Sequence, residues 1–466
     1  MNEIPLQDNM EYYKFVQLGN DNFALVLKEY HELGMNPVIR VFILNESLEI
    51  TNQNFYPVSE NTEVVEVVAN TENVLILIKE EKTYQLVDVD INTIEFNQLE
   101  TELPENFEIS LLALTDYVVF IGGKMDGKST GYKYNFKLKK SDILFHHLRE
   151  NTTLKSIEIN KDEKVASFIL QSGNEGLVNY IYLNNYDLEG KILFNAKVPT
   201  PLGYKVSDFR IGAIDKSSFL IVGEYSLTFR PDENVAGIFS IKLKEREIES
   251  SRFYDLSKLK NFFEYLPEKD AIKLRRKISK TSAYMRNIKT KISVEIQKFK
   301  RQDKVFMLQA SCFKKTKTLQ KNYKYEYLNT IALGFDDAGR MIWDNSITYP
   351  NENLIAFEPF LLTEAEYYNK NVFFIQKRQY IYRYKHSNAG TYTSEIKERY
   401  IHDGFLDIQI KNIFYDQNLM ITEDGNMLYY GVREFCYKDD LINSNKNFFI
   451  EKIEVNPRQL LTKGEN

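Results

Sequence analysis

Residues 122–129 have the spacing G-x-x-x-x-G-K-S, which is the pattern of a phosphate-binding loop. In a nucleotide hydrolase this loop opens a helix, whose first N–H groups bind the phosphates together with the lysine, here Lys128. Residues 131–138 instead alternate aromatic or apolar side chains with polar ones, which is a strand period. We therefore predict a hairpin between the second and third strands of a repeated unit, with Gly122 and Gly123 in that hairpin, and no nucleotide site.

A second candidate motif is an acidic run in which Asp88, Asp90 and Asn92 alternate as at the start of a calcium loop. The sixth position of that loop requires glycine and holds Thr93, and the twelfth requires glutamate and holds Leu99. The sequence therefore predicts a solvated turn between outer strands.

Histidine and cysteine spacing gives no metal or catalytic motif. The chain lacks H-E-x-x-H, and no cysteine lies close in sequence to a histidine. The adjacent His146 and His147 would face opposite sides of a strand. Cys312 and Cys436 are too few for a disulfide framework and are expected to be buried thiols. We expect no cofactor, no metal and no catalytic residue. The histidines are His31, His146, His147, His386 and His402.

Composition favours strands. The 466 residues are 43% apolar, and they include 31 Tyr and 31 Phe but one Trp. Aromatic side chains pack well on a pleated surface, and a core of ample size is available. The net charge of -6 gives no overall attraction to nucleic acid or anionic membrane. No apolar run is long enough to span a bilayer, and the N-terminus lacks the pattern of a signal peptide.

Internal repeats carry the fold prediction. Short alternating strands recur about every 40 to 50 residues, as in propeller blades. The run YDLEGK at 186–191 resembles FDDAGR at 335–340, and each has a glycine for a tight turn. We predict an all-β fold, a β-propeller of four-stranded antiparallel blades with an inserted α-helical hairpin. The number of blades is seven if the first and last predicted blades share one sheet that closes the ring, and eight if they do not. A sandwich or a pair of barrels is the alternative. The predicted blades start near Tyr12, Thr62, Asn106, Thr153, Lys205, Ile292, Leu354 and Phe405.

One segment has helical rather than strand periodicity. Its apolar residues from Leu256 onward predict an inserted α-helical hairpin over residues 255–291. Asp255 is expected to cap the first helix and Pro267 to begin the second. The predicted domains are propeller blades over 1–254, the basic helical insert over 255–291, further blades over 292–456, and a tail over 457–466.

The helical insert also carries an unusual concentration of charge. Residues 271–301 contain eleven Lys or Arg and one acid, Glu295, so this segment is +10. Such a surface binds phosphates or an acidic protein, and a protein partner is favoured because no nucleic-acid-binding module surrounds it. The predicted partner-binding residues are Lys273, Arg275, Arg276, Lys277, Lys280, Arg286, Lys289 and Lys291. The positive charge continues less densely through residues 298–321.

With its repeat style and helical insert, the chain resembles the divergent β-propeller proteins of Bacteroidota, including the propeller-type plug subunit of the type 9 secretion translocon. The resemblance implies a non-catalytic interaction subunit in assembly or gating of a membrane-embedded secretion channel. It also implies a periplasmic location for a mature chain, whereas the sequence as it stands predicts a cytoplasmic one. The alternative is a carbohydrate-binding protein or hydrolase with its site in the central channel, which requires carboxylates or a histidine cluster from several blades.

Overall fold

The architecture is taken from a computed structural model. The structure describes residues 2–6, 10–18, 22–30, 36–81, 83–99, 103–104, 106–136, 138–146, 152–160, 163–172, 180–200, 204–227, 235–283, 292–302, 304–317, 323–348, 355–356, 362–367, 370–377, 380–386, 392–393, 408–413, 418–421, 427–437 and 440–453.

Strands dominate these residues and form eight antiparallel sheets, which we number as blades 1 to 8 in chain order. The first strand, β1 (Asn2–Leu6), belongs to blade 8. Blade 1 contains β2 (Met10–Gln17), β3 (Phe23–Glu29), β4 (Val38–Leu44) and β5 (Ile50–Pro57). Blade 2 contains β6 (Glu63–Ala69), β7 (Asn73–Glu80), β8 (Thr83–Asp90) and β9 (Phe96–Leu99). Blade 3 contains β10 (Phe107–Leu114), β11 (Val118–Met125), β12 (Lys128–Asn135) and β13 (Lys140–His146). Blade 4 contains β14 (Thr152–Asn160), β15 (Val165–Ser172), β16 (Tyr180–Asp187) and β17 (Ile192–Pro199).

The remaining blades follow the same order along the chain. Blade 5 contains β18 (Tyr204–Ala213), β19 (Ser218–Leu227), β20 (Gly237–Lys244) and β21 (Glu247–Asp255). Blade 6 contains β22 (Ser293–Gln302), β23 (Val305–Lys317), β24 (Tyr323–Asp336), β25 (Met341–Thr348) and β26 (Ile355–Ala356). Blade 7 contains β27 (Leu362–Tyr367), β28 (Lys370–Lys377), β29 (Tyr380–His386) and β30 (Tyr392–Thr393). Blade 8 contains β31 (Ile408–Ile413), β32 (Asn418–Ile421), β33 (Met427–Tyr437) and β34 (Asp440–Ile453) in addition to β1.

The strand order within the blades confirms the propeller class. In blades 1 to 5 and 7 the four strands pair in sequence order, as a meander. The first strands β2, β6 and β10 are neighbours, and so are β18 and β22. Burial follows strand position, since all of β3 is buried whereas β5 is mostly exposed. Six of the predicted blade starts lie within two residues of the observed first strands, and Leu354 and Phe405 lie outside the described residues.

A β-bulge recurs in the first strand of a blade. In seven of the eight blades described, the register between the first strand and its neighbour shifts once. The exception is the pairing of β27 with β28. A bulge adds an unpaired residue, bends the strand and re-aims its side chains. In β18 it lies between Val206 and Phe209.

The repeated turns form as predicted. The Asp187 Oδ1 atom accepts hydrogen bonds from the N–H groups of Glu189 (3.1 Å) and Lys191 (2.7 Å). Asp336 repeats this arrangement in blade 6. Gly190 and Gly339 have φ of 81° and 71°, a region that glycine adopts at little cost. The acidic run of blade 2 is also a turn between outer strands, where Asp90 Oδ1 accepts from the N–H groups of Asn92 and Thr93.

The phosphate-loop pattern lies on a two-residue hairpin. Met125 pairs with Lys128, and the turn residues Asp126 and Gly127 have φ of 51° and 74°. This is the Asp-Gly turn that suits the twist of a hairpin. No helix follows it, because β12 begins at Lys128. The placement of Gly122 and Gly123 in the hairpin turn is wrong, since both lie inside β11. At Gly123 the backbone of the neighbouring strand β10 approaches closely.

The N-terminal strand pairs with the C-terminal strand of the sheet. β1 is antiparallel to β34, with Asn2 opposite Ile450 and Leu6 opposite Lys446. Ile4 and Leu6 are buried in the same core cluster as residues of β33 and β34. The first and last described strands therefore share blade 8, which is a separate sheet from blade 1.

The chain divides into two compact units, each with its own core. Unit 1 comprises residues 1–146, 361–385 and 394–466, and unit 2 comprises residues 147–360 and 386–393. The core of unit 2 combines apolar side chains of blades 4, 5 and 6 with those of the helical insert. Among its described residues, unit 1 contains three smaller apolar clusters.

In its described residues, 255–283, the helical insert contains one α-helix where two were predicted. Asp255 caps a 3₁₀ helix, Leu256–Lys258, by accepting from the N–H of Ser257 at 3.0 Å, and α1 covers Glu268–Ala283. Residues 259–267 are turns. Side chains of blade 6 form hydrogen bonds with the backbone of these residues. Asp344 accepts from the Asn261 N–H (2.7 Å), and Asn329 donates to the carbonyl of Phe262 (2.8 Å). These tertiary hydrogen bonds replace the helical ones.

We expect Gly123→Ala to destabilise the protein by about 1 to 3 kcal/mol, because overpacking forces the backbone to shift. An added Cβ would lie 2.1 Å from the carbonyl oxygen of Glu108. Chemical denaturation measures the effect. The matched control is Lys124→Ala at the next, exposed position. An equal loss of stability in both variants would contradict the close-approach explanation.

Candidate functional site

The exposed basic residues of α1 form a stripe on one face of the helix. Lys273, Arg276, Lys277 and Lys280 follow the spacing i, i+3, i+4, i+7, and all four are exposed. We call these four residues the basic stripe. The other predicted residues Arg286, Lys289 and Lys291 lie outside the described residues.

The opposite face of α1 fixes the helix to unit 2. Ile278 is fully buried in the unit 2 core, and Ala271 and Leu274 pack against the same core. The acidic Glu268 and Asp270 lie in the first turn, where their negative charges interact favourably with the helix dipole. The basic stripe is therefore held on a rigid support.

Arg275 differs from the other predicted partner-binding residues because its guanidinium is used within the molecule. It donates to the carbonyl oxygens of Leu259 (3.4 Å) and Lys260, and it lies over the ring of Phe263 at 5.6 Å. The side chain joins α1 to the turn segment that follows the 3₁₀ helix.

The sequence did not predict a group of four carboxyl side chains on blades 4, 5 and 6 that interact electrostatically with Asp208 or Arg210. We call Glu158, Asp208, Glu224 and Glu295 the carboxyl cluster. Electrostatic interactions link its members to one another or to Arg210. Three of the four residues lie on β14, β18 and β22, and Glu224 lies on β19 opposite the bulge of β18.

Arg210 and Asp208 bridge blades 5 and 6. The guanidinium donates to Asp208 Oδ1 at 2.6 Å and to the carbonyl oxygen of Ile296 at 2.7 Å. Asp208 Oδ2 accepts from the N–H of Ile296 at 3.1 Å. The bulge of β18 places both side chains so that they reach the neighbouring strand.

The other cluster members have raised pKa values. Burial raises the pKa of Glu158 to about 7, against the opposing effects of the Ser156 hydroxyl and Arg210. Burial and, less strongly, Asp208 raise the pKa of Glu224 to about 8. Burial and Asp208 also raise the pKa of Glu295. Glu158 and Glu224 therefore retain protons well above the normal carboxyl range.

Glu158 also lines a cleft of about 470 Å³. The cleft lies among β14, β18 and β22, and its apolar wall includes Ile211 and Phe299. Lys300 and Arg301 line it as well. A volume of this size, with an apolar wall and a few polar groups, is typical of small-molecule sites.

No metal centre is found in the part of the chain that the structure describes. His146 Nδ1 lies 2.9 Å from the hydroxyl oxygen of Thr130, and His31, His147 and His402 lie outside the described residues. Cys312 is buried and burial raises the pKa of its thiol, whereas nothing is described of the Cys436 side chain. Among the described helices, none is long and apolar enough to cross a membrane.

We expect Arg275→Ala to destabilise the protein by about 1 to 2 kcal/mol, because both hydrogen bonds and packing are lost. The neighbouring Arg276→Ala removes the same charge from an exposed position, so it is expected to change stability by less than about 0.5 kcal/mol. Thermal and chemical unfolding compare the two variants. Equal effects would show that Arg275 does not anchor the helix.

We also expect stability to fall as the pH rises from about 4.5 to about 8. The folded pKa of Glu224 lies near 8 and its ordinary value is 4.5, so in this window the folded state holds more protons than the unfolded state. Glu224→Gln removes this dependence and is expected to stabilise the protein at pH 8 by about 1 to 3 kcal/mol. The exposed Glu247→Gln is the control, and unfolding curves at several pH values provide the measurement. A Glu224→Gln profile parallel to that of the unmodified protein would contradict this assignment.

No protein-family model matches the chain, and no curated protein matches it. Among solved structures, the β-propeller domain of the Trilobed protease from Pyrococcus furiosus is 9% identical, and the match covers 98% of this chain and 99% of that domain with a TM-score of 0.40. Polysaccharide lyase Uly1 is 11% identical over 87% of this chain and 93% of that one, with a TM-score of 0.46. Prolyl oligopeptidase B from Galerina marginata is 10% identical over 93% of this chain, with a TM-score of 0.43. This chain spans about half the length of the prolyl oligopeptidase B and prolyl endopeptidase structures that it matches. These similarities transfer no activity, substrate or partner to this chain.

Proposed function

We propose that this protein is a non-catalytic β-propeller subunit that binds an acidic protein surface through the basic stripe of α1. The observation that carries the proposal is the division of α1 into two faces. One face is anchored by Ile278 in the core of unit 2, and the other presents four exposed cations at helical spacing. Cations held in fixed positions are complementary in charge to an acidic protein surface, and they attract such a surface electrostatically.

The support under the stripe favours a binding role over a solvated face with no partner. Leu256, Leu259, Phe262 and Phe263 are all buried in the core of unit 2, which ties the insert to blades 5 and 6. Arg275 adds a second attachment to the turn segment. Binding to a preorganised surface avoids the entropy cost of ordering a helix.

We further propose that the protein acts in the periplasm, in the assembly or gating of a bacterial secretion channel. It rests on the resemblance of repeat style and insert to the propeller proteins of Bacteroidota. The expected partner is then a membrane-embedded channel protein with an acidic surface.

The hydrolase alternative gains one supporting observation, because the carboxyl cluster brings together acids from several blades. Glycoside hydrolysis needs one protonated and one ionised carboxyl group across the scissile bond. Asp208 is held by Arg210 and by the N–H of Ile296, and Glu224 is 7% exposed. The pairing of Asp208 and the burial of Glu224 disfavour catalysis at this cluster.

Charge reversal tests the proposed function more cleanly than deletion of residues 255–291, because deletion would also remove core side chains. We expect Lys273→Glu, Arg276→Glu and Lys280→Glu together to reduce recovery of the partner by at least about tenfold in affinity purification from native membranes. The control reverses three other exposed lysines, Lys124, Lys216 and Lys244. Equal recovery with both triple variants, or no stoichiometric partner with the unmodified protein, would refute the proposal.

A further inference from the structure

The outer strand of blade 1 has no charged residue. β5 is the last strand of its sheet, and its eight residues read ITNQNFYP, with seven of the eight exposed. The outer strands of blades 3 to 6, which are β13, β17, β21 and β25, each carry at least one charged residue. An exposed strand edge can pair with another chain, and native proteins block such edges with charge, proline or a covering element. The edge of β5 is therefore expected to be protected in another way.

The hydrogen bonds between β4 and β5 show which backbone groups of β5 point outward. The N–H of Val58 donates to the carbonyl oxygen of Pro37 at 2.8 Å, one step beyond the paired residues of the two strands. Hydrogen-bonded and non-hydrogen-bonded positions alternate along an antiparallel pair. Counting back from Val58, the backbones of Gln53, Phe55 and Pro57 therefore point away from β4.

None of these three outward positions offers a free N–H. The Oδ1 atom of Asn52 accepts from the N–H of Gln53 at 3.0 Å, and Oδ1 of Asn54 accepts from the N–H of Phe55 at 2.9 Å. Pro57 has no N–H to donate. A partner strand would have to displace both asparagine side chains before its carbonyl groups could pair with this edge.

The side chain of Asn54 is fixed from both ends. While its Oδ1 atom accepts from β5, its Nδ2 atom donates to the carbonyl oxygen of Ile94 at 2.8 Å. Ile94 lies in the turn between β8 and β9 of blade 2 and is 1% exposed. Because a buried turn holds the amide nitrogen, the amide oxygen stays directed at the backbone of β5.

We propose that Asn52 and Asn54 are edge caps that keep β5 from pairing with β5 of a second copy of this chain. A second copy is the partner to exclude, because an uncharged strand meets no like-charge repulsion from its own sequence. In a two-fold antiparallel pair centred on Gln53, the outward backbone groups of the two strands would face each other. Phe55, which is 51% exposed, would lose contact with water in such a pair. This role goes beyond protein binding by the basic stripe and does not depend on it.

Removal of both caps tests the proposal. In the double variant Asn52→Val, Asn54→Val the two outward N–H groups are free, and we expect the full chain to self-associate at least about tenfold more tightly than the unmodified protein. Sedimentation velocity over a range of concentrations measures the association. The matched control is Gln53→Val, which makes the same kind of polar-to-branched change on the same strand but keeps both caps. It is expected to leave self-association within about twofold of that of the unmodified protein.

A charge at the centre of the edge provides the second test. Adding Gln53→Lys to the double variant would place two like charges opposite each other on the two-fold axis, so it is expected to reverse the association. Asn52→Val alone keeps the bond to Ile94 and frees one N–H, so it is expected to associate detectably even if the double variant fails to fold. Equal association of Gln53→Val and the cap variants, no association of any cap variant, or association that Gln53→Lys does not reduce would overturn the proposal.

Discussion

The β-bulge that recurs in the first strands of the blades is the constraint on which the polar contacts between blades 5 and 6 depend. Without it, a first strand would alternate strictly between its two faces, and its polar side chains would follow the pleat. The shift between Val206 and Phe209 instead lets Asp208 and Arg210 reach the backbone of β22, while Glu224 lies opposite the extra residue. The same irregularity in seven of the eight blades described shows that it belongs to the repeat rather than to one site.

Local features of the fold were predictable because they depend on neighbours in sequence. Short-range patterns account for the Asp-x-x-Gly turns, the capping role of Asp255, the hairpin at Gly127 and the start of most blades. The predicted first helix of the insert failed because its backbone groups bond to Asp344 and Asn329, more than sixty residues later. Gly123 was misplaced for a related reason, since its need for close approach comes from the strand carrying Glu108.

The carboxyl cluster was not predictable from the sequence. Its members are separated by up to 137 positions between Glu158 and Glu295, and each taken alone is an ordinary polar residue of a strand. A bulge interrupts the two-residue period, so it also removes the pattern that would assign a side chain to one face. The basic stripe differs because all four residues lie on one helix, where the period of 3.6 residues already predicts a common face. In unit 2, the basic stripe could therefore be read from the sequence, whereas the carboxyl cluster is assembled only by the fold.

The pairing of β1 with β34 affects the order in which the chain can fold. Asn2 finds its partner only after Ile450 has been synthesised, so blade 8 is completed after the strands of all other blades have been translated, whereas blades 1 to 5 can form as each emerges from the ribosome. Until β1 pairs with β34, Ile4 and Leu6 lack their buried environment, and β34 presents an open edge to other chains. Closing so long a loop is entropically costly and slow. A nascent or truncated chain would therefore depend on chaperones to keep this edge from aggregating.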